Sequence, residues 1–263
     1  MGLKFFQVDA FTDKAFSGNP AAVFILPEAQ NERWMQSVAA EMNLSETAFL
    51  YPGSDLFHLR WFTPTREVAL CGHATLATAH ILWETGRLAP NHPAHFETQS
   101  GRLNALKVDN WIELDFPSEP EQATAAPPTL IQALGVRPQY VGKNRFDFLV
   151  EVDSEQILRS IRPEFALLAS VQTRGVIVTA PAASPAYDFV SRFFAPRSGI
   201  HEDPVTGSAH CCLGPFWRER LHKDHLIARQ LSTRGGVVAI RIKKNRVVLS
   251  GQAVTIFSGQ WVV

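Results

Sequence analysis

The strongest constraint on the fold of this chain is an internal repeat. One copy runs Arg60-Trp61-Phe62-Thr63-Pro64, a polar turn, Gly72-His73-Ala74-Thr75 and an apolar segment containing Trp83. The other runs Arg192-Phe193-Phe194-Ala195-Pro196, then His201-Glu202-Asp203-Pro204-Val205-Thr206, then Gly207-Ser208-Ala209-His210 and a segment containing Trp217. Each copy reads as strand, turn, helix: a β-rich aromatic run stops at a proline, and a Gly with small residues opens a largely apolar helix. A Gly at such a junction leaves backbone N–H groups uncovered at the positive end of a helix, where anions bind. In the first copy Ala74, Leu76, Ala77, Ala79, Ile81, Leu82 and Trp83 leave little polar face, so that helix is expected to be buried on all sides. In the second, Gly214-Pro215 is expected to shorten or kink the helix. The simplest architecture is two similar lobes, each wrapping strands around one central helix, with both helix N-termini in a shared cleft.

A chain of 263 residues, 46% of them hydrophobic, can bury a sizeable core as one large domain or two smaller ones, and the repeat favours two. Formal net charge is zero and no Lys/Arg run stands out, so neither nucleic acid nor an anionic membrane is an expected partner. A small-molecule substrate is the default. Met1-Gly2-Leu3-Lys4 leads directly into strand-like Phe5-Phe6-Gln7-Val8, unlike a signal peptide, and no apolar run has the length of a membrane span; the expected location is the cytoplasm. Three cysteines, two of them adjacent at Cys211-Cys212, argue against a disulfide framework. His73 and His80 lie two turns apart and His210 adjoins Cys211, but no recognised ligand spacing appears, so no metal site is expected.

Along the chain, Leu3 to Phe11 reads as a strand, Gly18-Asn19-Pro20 as a turn and Ala21 to Leu26 as a second strand. Asn19 is either a turn former or an amide delivered to the cleft. Asn31 to Asn43 carries Trp34, Val38 and Met42 at helical spacing, with Asn31 as N-cap. Glu46 then opens an otherwise apolar strand, Glu46-Thr47-Ala48-Phe49-Leu50-Tyr51, and is either solvated or poised in a pocket. Strand-like runs follow around Phe96, 103–108 and 111–116. Pro117 to Pro128, with Pro120 and Pro127 between, reads as a linker and divides the chain into lobes 1–117 and 118–263. The second lobe opens with a helix from Thr129 to Leu134 closed by Gly135. It ends in an antiparallel meander whose last run, 260–263, is expected to return to the first lobe.

The motifs Gly18-Asn19-Pro20, Ser45-Glu46-Thr47-Ala48-Phe49, Phe62-Thr63-Pro64, Cys71-Gly72-His73-Ala74-Thr75 and Glu202-Asp203-Pro204-Val205-Thr206-Gly207, in that order, resemble the PhzF family of phenazine-biosynthesis-like isomerases. The resemblance implies an α+β fold of diaminopimelate epimerase type, with two pseudo-symmetric lobes, each a curved, mostly antiparallel sheet around a central helix, and the active site in the cleft between them. It implies cofactor-independent chemistry, a small carboxylate substrate and a homodimer. It places Glu46 on the catalytic general acid/base and His73 and Asp203 on its supporting polar residues. Gly72, Gly207 and Ser208 fall on the backbone that holds the substrate, and Asn19, if its amide reaches the cleft, is a further substrate-binding candidate. The expected function is proton transfer between carbons of the substrate, with one Glu serving as base at the first carbon and acid at the second. Epimerases of this fold pair two thiols, one at the head of each central helix. Here Cys71 stands at the first head, while the second falls in the Asp203-Pro204 segment, itself readable as an N-cap followed by a proline at the first helical position. Alternatives are a Cys71-assisted epimerase or racemase of an amino-acid-like substrate, and a non-catalytic small-molecule-binding protein. Neither the substrate nor a role in phenazine synthesis follows from the resemblance.

Overall fold

The computed structural model describes residues 2–54 and 56–262. In order the elements are β1 (Leu3–Ala10), β2 (Asn19–Ile25), α1 (Glu32–Met42), β3 (Glu46–Pro52), β4 (Phe57–Phe62), β5 (Glu67–Val68), α2 (Gly72–Glu84), β6 (Ala94–Thr98), β7 (Gly101–Val108) and β8 (Trp111–Pro117). Then come β9 (Gln122–Ala123), α3 (Pro128–Leu134), β10 (Tyr140–Lys143), β11 (Asp147–Glu151), α4 (Glu155–Ser160), α5 (Phe165–Ser170), β12 (Gly175–Pro181) and β13 (Phe189–Phe194). The chain closes with α6 (Gly207–Leu221), β14 (His225–Gln230), β15 (Gly236–Lys243), β16 (Arg246–Gly251) and β17 (Ala253–Trp261). Two compact units result, residues 1–115 with 250–263, and residues 116–249.

In the first unit β1 pairs antiparallel with β2, β2 parallel with β3 and β3 antiparallel with β4. The single parallel step is the one bridged by α1, as a crossover requires. Asn31 caps α1 by accepting the Arg33 N–H at 2.8 Å, and Asn43 closes it in the left-handed conformation, as the sequence predicts. One sheet face packs on α1 through Ala22, Phe24, Phe49 and Phe62, with Met35, Val38 and Ala39 from the helix. The other face meets α2, whose residues His73 to Ala79 and Ile81 to Trp83 are buried. The N-cap residue Cys71 makes no side-chain cap bond, a device worth about 1 kcal/mol. Burial of Leu76, Ile81, Leu82 and Trp83, at about 1.5–3 kcal/mol for each large apolar side chain, holds the helix instead and leaves its first turn uncapped by that side chain.

The second unit repeats this order. β10 pairs antiparallel with β11, β11 parallel with β12 across α4 and α5, and β12 antiparallel with β13, after which α6 begins. β6 lies parallel to β4 as β14 lies parallel to β13, and antiparallel partners follow in β7 and β15. Even the outer neighbours correspond, since β17 adds to β1 and β9 adds to β10. The repeated Arg has one job in both units. Arg60 grips Glu67 with two bonds of 2.7 Å and lies 5.2 Å from the Phe62 ring centroid, while Arg192 grips Glu202 at 2.7 and 3.0 Å and lies 4.8 Å from that of Phe194. Arg192 also donates to the Leu158 and Ile161 carbonyls that end α4. Its side chain is 10% exposed, so Glu202→Leu strands a buried cation and is expected to cost about 3 kcal/mol in urea unfolding, the lower end for a broken buried pair. Glu67→Leu should cost less, because Arg60 keeps 23% exposure.

Several expectations need correction. Gly214-Pro215 does not shorten α6, which continues through it to Leu221. Proline removes the N–H that would reach the Cys211 carbonyl, and the Glu119 N–H takes that carbonyl at 3.0 Å instead. The segment 117–128 is not a bare linker, because β9 pairs within it. Asn19 and Pro20 lie in β2 rather than in a turn; the turn falls on Gly18, at φ +68°, where an added Cβ would sit 2.2 Å from the Ala10 carbonyl oxygen. The expected last run is not a separate strand: residues 260 and 261 end the longer β17, which pairs along all of β1. Val263, the end of the expected last run, lies outside the described residues. No helix among the described residues is long and apolar enough to cross a membrane.

Candidate active site

Glu46 is the first residue of β3, beside Ala21 of β2. Strand alternation sends Phe49 to the α1 face, so Glu46 projects on the opposite face, where α2 begins. There the carboxylate oxygen Oε2 lies 3.2 Å from His73 Nε2, and Cys71 Sγ lies 3.6 Å from His73 Nδ1. His73 is the second residue of α2 and Cys71 its N-cap, so one helix start delivers both. Burial pushes the His73 pKa down to about 3, so the imidazole is neutral at physiological pH. The Glu46 contact is then not an ion pair between two charges. An ionised Glu46 can only accept, and against it a neutral His73 carries its hydrogen on Nε2, which leaves Nδ1 facing the Cys71 thiol. Glu46 is the open end of this row, with 15% side-chain exposure.

Asn19 is fully buried at the start of β2, and its Oδ1 accepts the Ser45 hydroxyl at 3.3 Å. Since Ser45 precedes Glu46, this bond ties down the backbone from which the carboxylate departs. Asn19, Ser45, Glu46, Cys71, Gly72 and His73 thus all belong to the first unit.

Asp203, Gly207 and Ser208 belong to the second. The N-cap of α6 is Thr206, not Asp203, so Thr206 rather than the Asp203-Pro204 segment stands where Cys71 stands in α2. Thr206 makes no side-chain cap bond; its hydroxyl donates to the Asp203 carboxylate at 2.5 Å. Buried Gln230 fixes both residues: its amide N–H donates to the Asp203 carbonyl at 2.7 Å and its oxygen accepts the Thr206 N–H at 2.9 Å. Ser208 Oγ accepts from Arg174 at 3.1 Å, and Arg174 is paired with the buried carboxylate of Asp147. Nothing local in the sequence marks Gln230, Arg174 or Asp147; the structure turns Gln230 inward as the last residue of a strand with alternating burial, β14. The first-turn bond also repeats: the Thr75 hydroxyl donates to the Cys71 carbonyl at 2.5 Å, and His210 Nδ1 donates to that of Thr206 at 2.8 Å. Burial lowers the His210 pKa to about 4.

The repeat shows what is not duplicated. Thr47 pairs with Phe62 and Val176 with Phe194, so Glu46 corresponds to Gly175. A Cβ at Gly175 would lie 2.2 Å from the Phe193 ring, which fills that place. Cys71, His73 and Glu46 correspond to Thr206, Ser208 and Gly175, so the carboxylate–imidazole–thiol row exists once among these positions. Its donor atoms lie within 4.8 Å of one another, a set that can hold a metal ion although no sequence spacing announces it.

Comparison with known proteins identifies the family and the fold. The family described as phenazine biosynthesis-like protein, PhzC-PhzF, matches residues 8–259. A protein of Halalkalibacterium halodurans named as an uncharacterized isomerase is 57% identical over 256 residues, 97% of each chain. The crystal structure of a PhzF-family protein from Enterococcus faecalis superposes with a TM-score of 0.96 at 41% identity, covering all of both chains. At the level of the fold alone, a probable proline racemase from Agrobacterium radiobacter aligns over 99% of this chain and 93% of its own, with a TM-score of 0.67 at 12% identity. The architecture is the α+β, diaminopimelate epimerase-like fold.

Proposed function

The chain belongs to the phenazine biosynthesis-like PhzC-PhzF family, and on that footing we propose that this isomerase moves a proton between two carbons of a small carboxylate substrate, with Glu46 as its single acid and base. The observation that carries the proposal is the unduplicated row Glu46–His73–Cys71: one partly exposed carboxylate, held by a neutral donor, with glycine at the corresponding place in the other half. A base that removes a proton at one carbon becomes the acid that returns it at another, so one carboxyl group suffices and no cofactor is required. His73 positions Glu46 by holding one of its oxygens, Oε2, at 3.2 Å. The negative charge that develops during transfer needs fixed donors, each worth about 3–4 kcal/mol in measured cases. The N–H groups at the head of α2, at Gly72 and beyond, suit a substrate carboxylate, because the N-cap side chain does not cover them. Asp203, Gly207 and Ser208 join the proposal on the family resemblance, at a helix start whose N-cap residue Thr206, like Cys71, makes no side-chain cap bond.

The test is solvent exchange. A panel of unsaturated and amino carboxylates incubated with the protein in deuterated water should yield at least one compound that gains deuterium at carbon, and its methyl ester should be inert. Silence across a broad panel favours a binding protein and sinks the proposal.

A second reading, a thiol-assisted epimerase, draws on the 3.6 Å contact between Cys71 and His73. A catalytic thiol makes Cys71→Ala inactive. A Glu46 shuttle requires Cys71→Ala to keep at least about a tenth of parental turnover, well inside the 10²–10⁴-fold that a lost acid/base costs. Steady-state kinetics on the folded variant separate the two.

A further inference from the structure

We propose that Glu46, Cys71 and His73 also form an inhibitory binding site for a borderline transition-metal ion of the zinc class. The three donors are a carboxylate oxygen, a thiol sulfur and an imidazole nitrogen, all within 4.8 Å of one another. His73 Nε2 lies 3.2 Å from Glu46 Oε2 and 4.0 Å from Cys71 Sγ. Ligands on tetrahedral zinc at the usual bond lengths stand about 3.4 Å apart for nitrogen and oxygen and about 3.6 Å apart for nitrogen and sulfur. Of the three pairs, one is therefore already at coordination distance, the second closes with a shift of about 0.4 Å, within the reach of a χ1 adjustment at Cys71, and the third, Glu46 oxygen to Cys71 sulfur, lies within 4.8 Å and closes with the same movement.

Donor chemistry sets the class of ion. A mixed sulfur, nitrogen and oxygen set favours zinc, cobalt or copper and disfavours magnesium and calcium, which prefer oxygen ligands alone. Three protein ligands leave a fourth position for water, as in open zinc sites. The mounting is rigid where a site needs it, since Cys71 and His73 sit at the head of a helix buried on every side. The entrance is Glu46, the only one of the three with appreciable exposure, at 15% of its side chain. A metal held there engages the carboxylate that would move the proton. The ion is therefore an inhibitor and not a cofactor; this consequence, unlike the binding itself, rests on the proposed role of Glu46.

Cobalt(II) is the probe, because a thiolate ligand gives it an intense charge-transfer band in the near ultraviolet. Titrating the chelator-treated full chain with cobalt(II) should raise that band to one equivalent per chain, and zinc(II) should abolish it. Cys71→Ala and Cys71→Ser, both checked for folding by thermal unfolding, should lose the band and bind cobalt at least about 100-fold more weakly, above the 10–100-fold range of losing an outer-shell partner. Zinc should inhibit the parent competitively with substrate, reversibly on adding chelator, and should spare Cys71→Ala. Absence of the band in the parent, or its survival in both Cys71 variants, overturns the site. If the band behaves as expected but Glu46→Gln keeps full turnover, the metal site stands and the proton-shuttle assignment fails. If the band is absent and Glu46→Gln is inactive, the reverse holds.

Discussion

Glu46→Gln is expected to lower kcat by at least about 10³-fold while leaving KM within a few fold and the melting temperature unchanged. Gln has the size of Glu, and its amide oxygen can still accept from His73 Nε2 across the present 3.2 Å, so the local structure has no reason to collapse. What is lost is basicity. General acid–base groups contribute about 10²–10⁴-fold, and a carboxyl used twice in one turnover belongs at the upper end. Steady-state kinetics and thermal unfolding on the same preparation check it. A drop in KM-linked binding without a drop in kcat would make Glu46 a binding residue.

Acid should weaken the fold steeply, and for an identifiable reason. Two histidines are buried neutral: His73, with its pKa lowered to about 3, and His210, lowered to about 4. Unfolded, each titrates near 6.5. Between the folded and unfolded values the unfolded chain binds more protons than the folded one, so stability rises with pH across that window. The contribution of each is complete above about pH 6.5 and is lost as pH falls toward 4 for His210 and 3 for His73. At pH 5 that amounts to about 2 kcal/mol per histidine, or about 4 kcal/mol together, at 1.36 kcal/mol per pH unit. Urea unfolding at pH 7.5 and pH 5 reads the sum. His210→Gln keeps a donor for the Thr206 carbonyl and removes the titration, so it should recover about half of the loss. Equal acid sensitivity in parent and variant would show that His210 is protonated in the fold.

Much of the fold was legible because it is written in local patterns. The Arg–aromatic–Pro strand ends, the all-apolar α2 and the capped α1 each follow from residues within a few positions of one another. The parts that were not legible depend on partners distant in sequence. Asp203-Pro204 has the local form of a helix start, but Gln230 ties both Asp203 and Thr206, and the helix begins three residues later than the motif suggests. Pro215 has the local form of a helix breaker, but Glu119 supplies the missing donor. Asn19 has the local form of a turn residue, yet Gly18 absorbs the turn and leaves Asn19 buried against Ser45.

The site divides in the same way. Glu46 looks out of place in an apolar strand, but that anomaly alone fits a solvated residue equally well; its expected role comes from the resemblance carried by Ser45-Glu46-Thr47-Ala48-Phe49. Its two neighbours sit together in Cys71-Gly72-His73, but their approach to Glu46 comes from β3 and the head of α2 meeting on one sheet face. That glycine stands at the place equivalent to Glu46 also needed the strand register, which equates Glu46 with Gly175 although nothing in the sequence around Gly175 resembles the Glu46 motif.

The most direct test of a Glu46 proton shuttle is the partial reaction itself. Take whichever carboxylate the parent protein exchanges in deuterated water, and follow deuterium at its donor carbon by NMR with Glu46→Gln at matched concentration and with the ligand shown to bind. A shuttle at Glu46 requires exchange to fall below about a thousandth of the parental rate while binding persists. Exchange within a few fold of the parent would mean that another group takes the proton, and Glu46 would be left with no part in the chemistry.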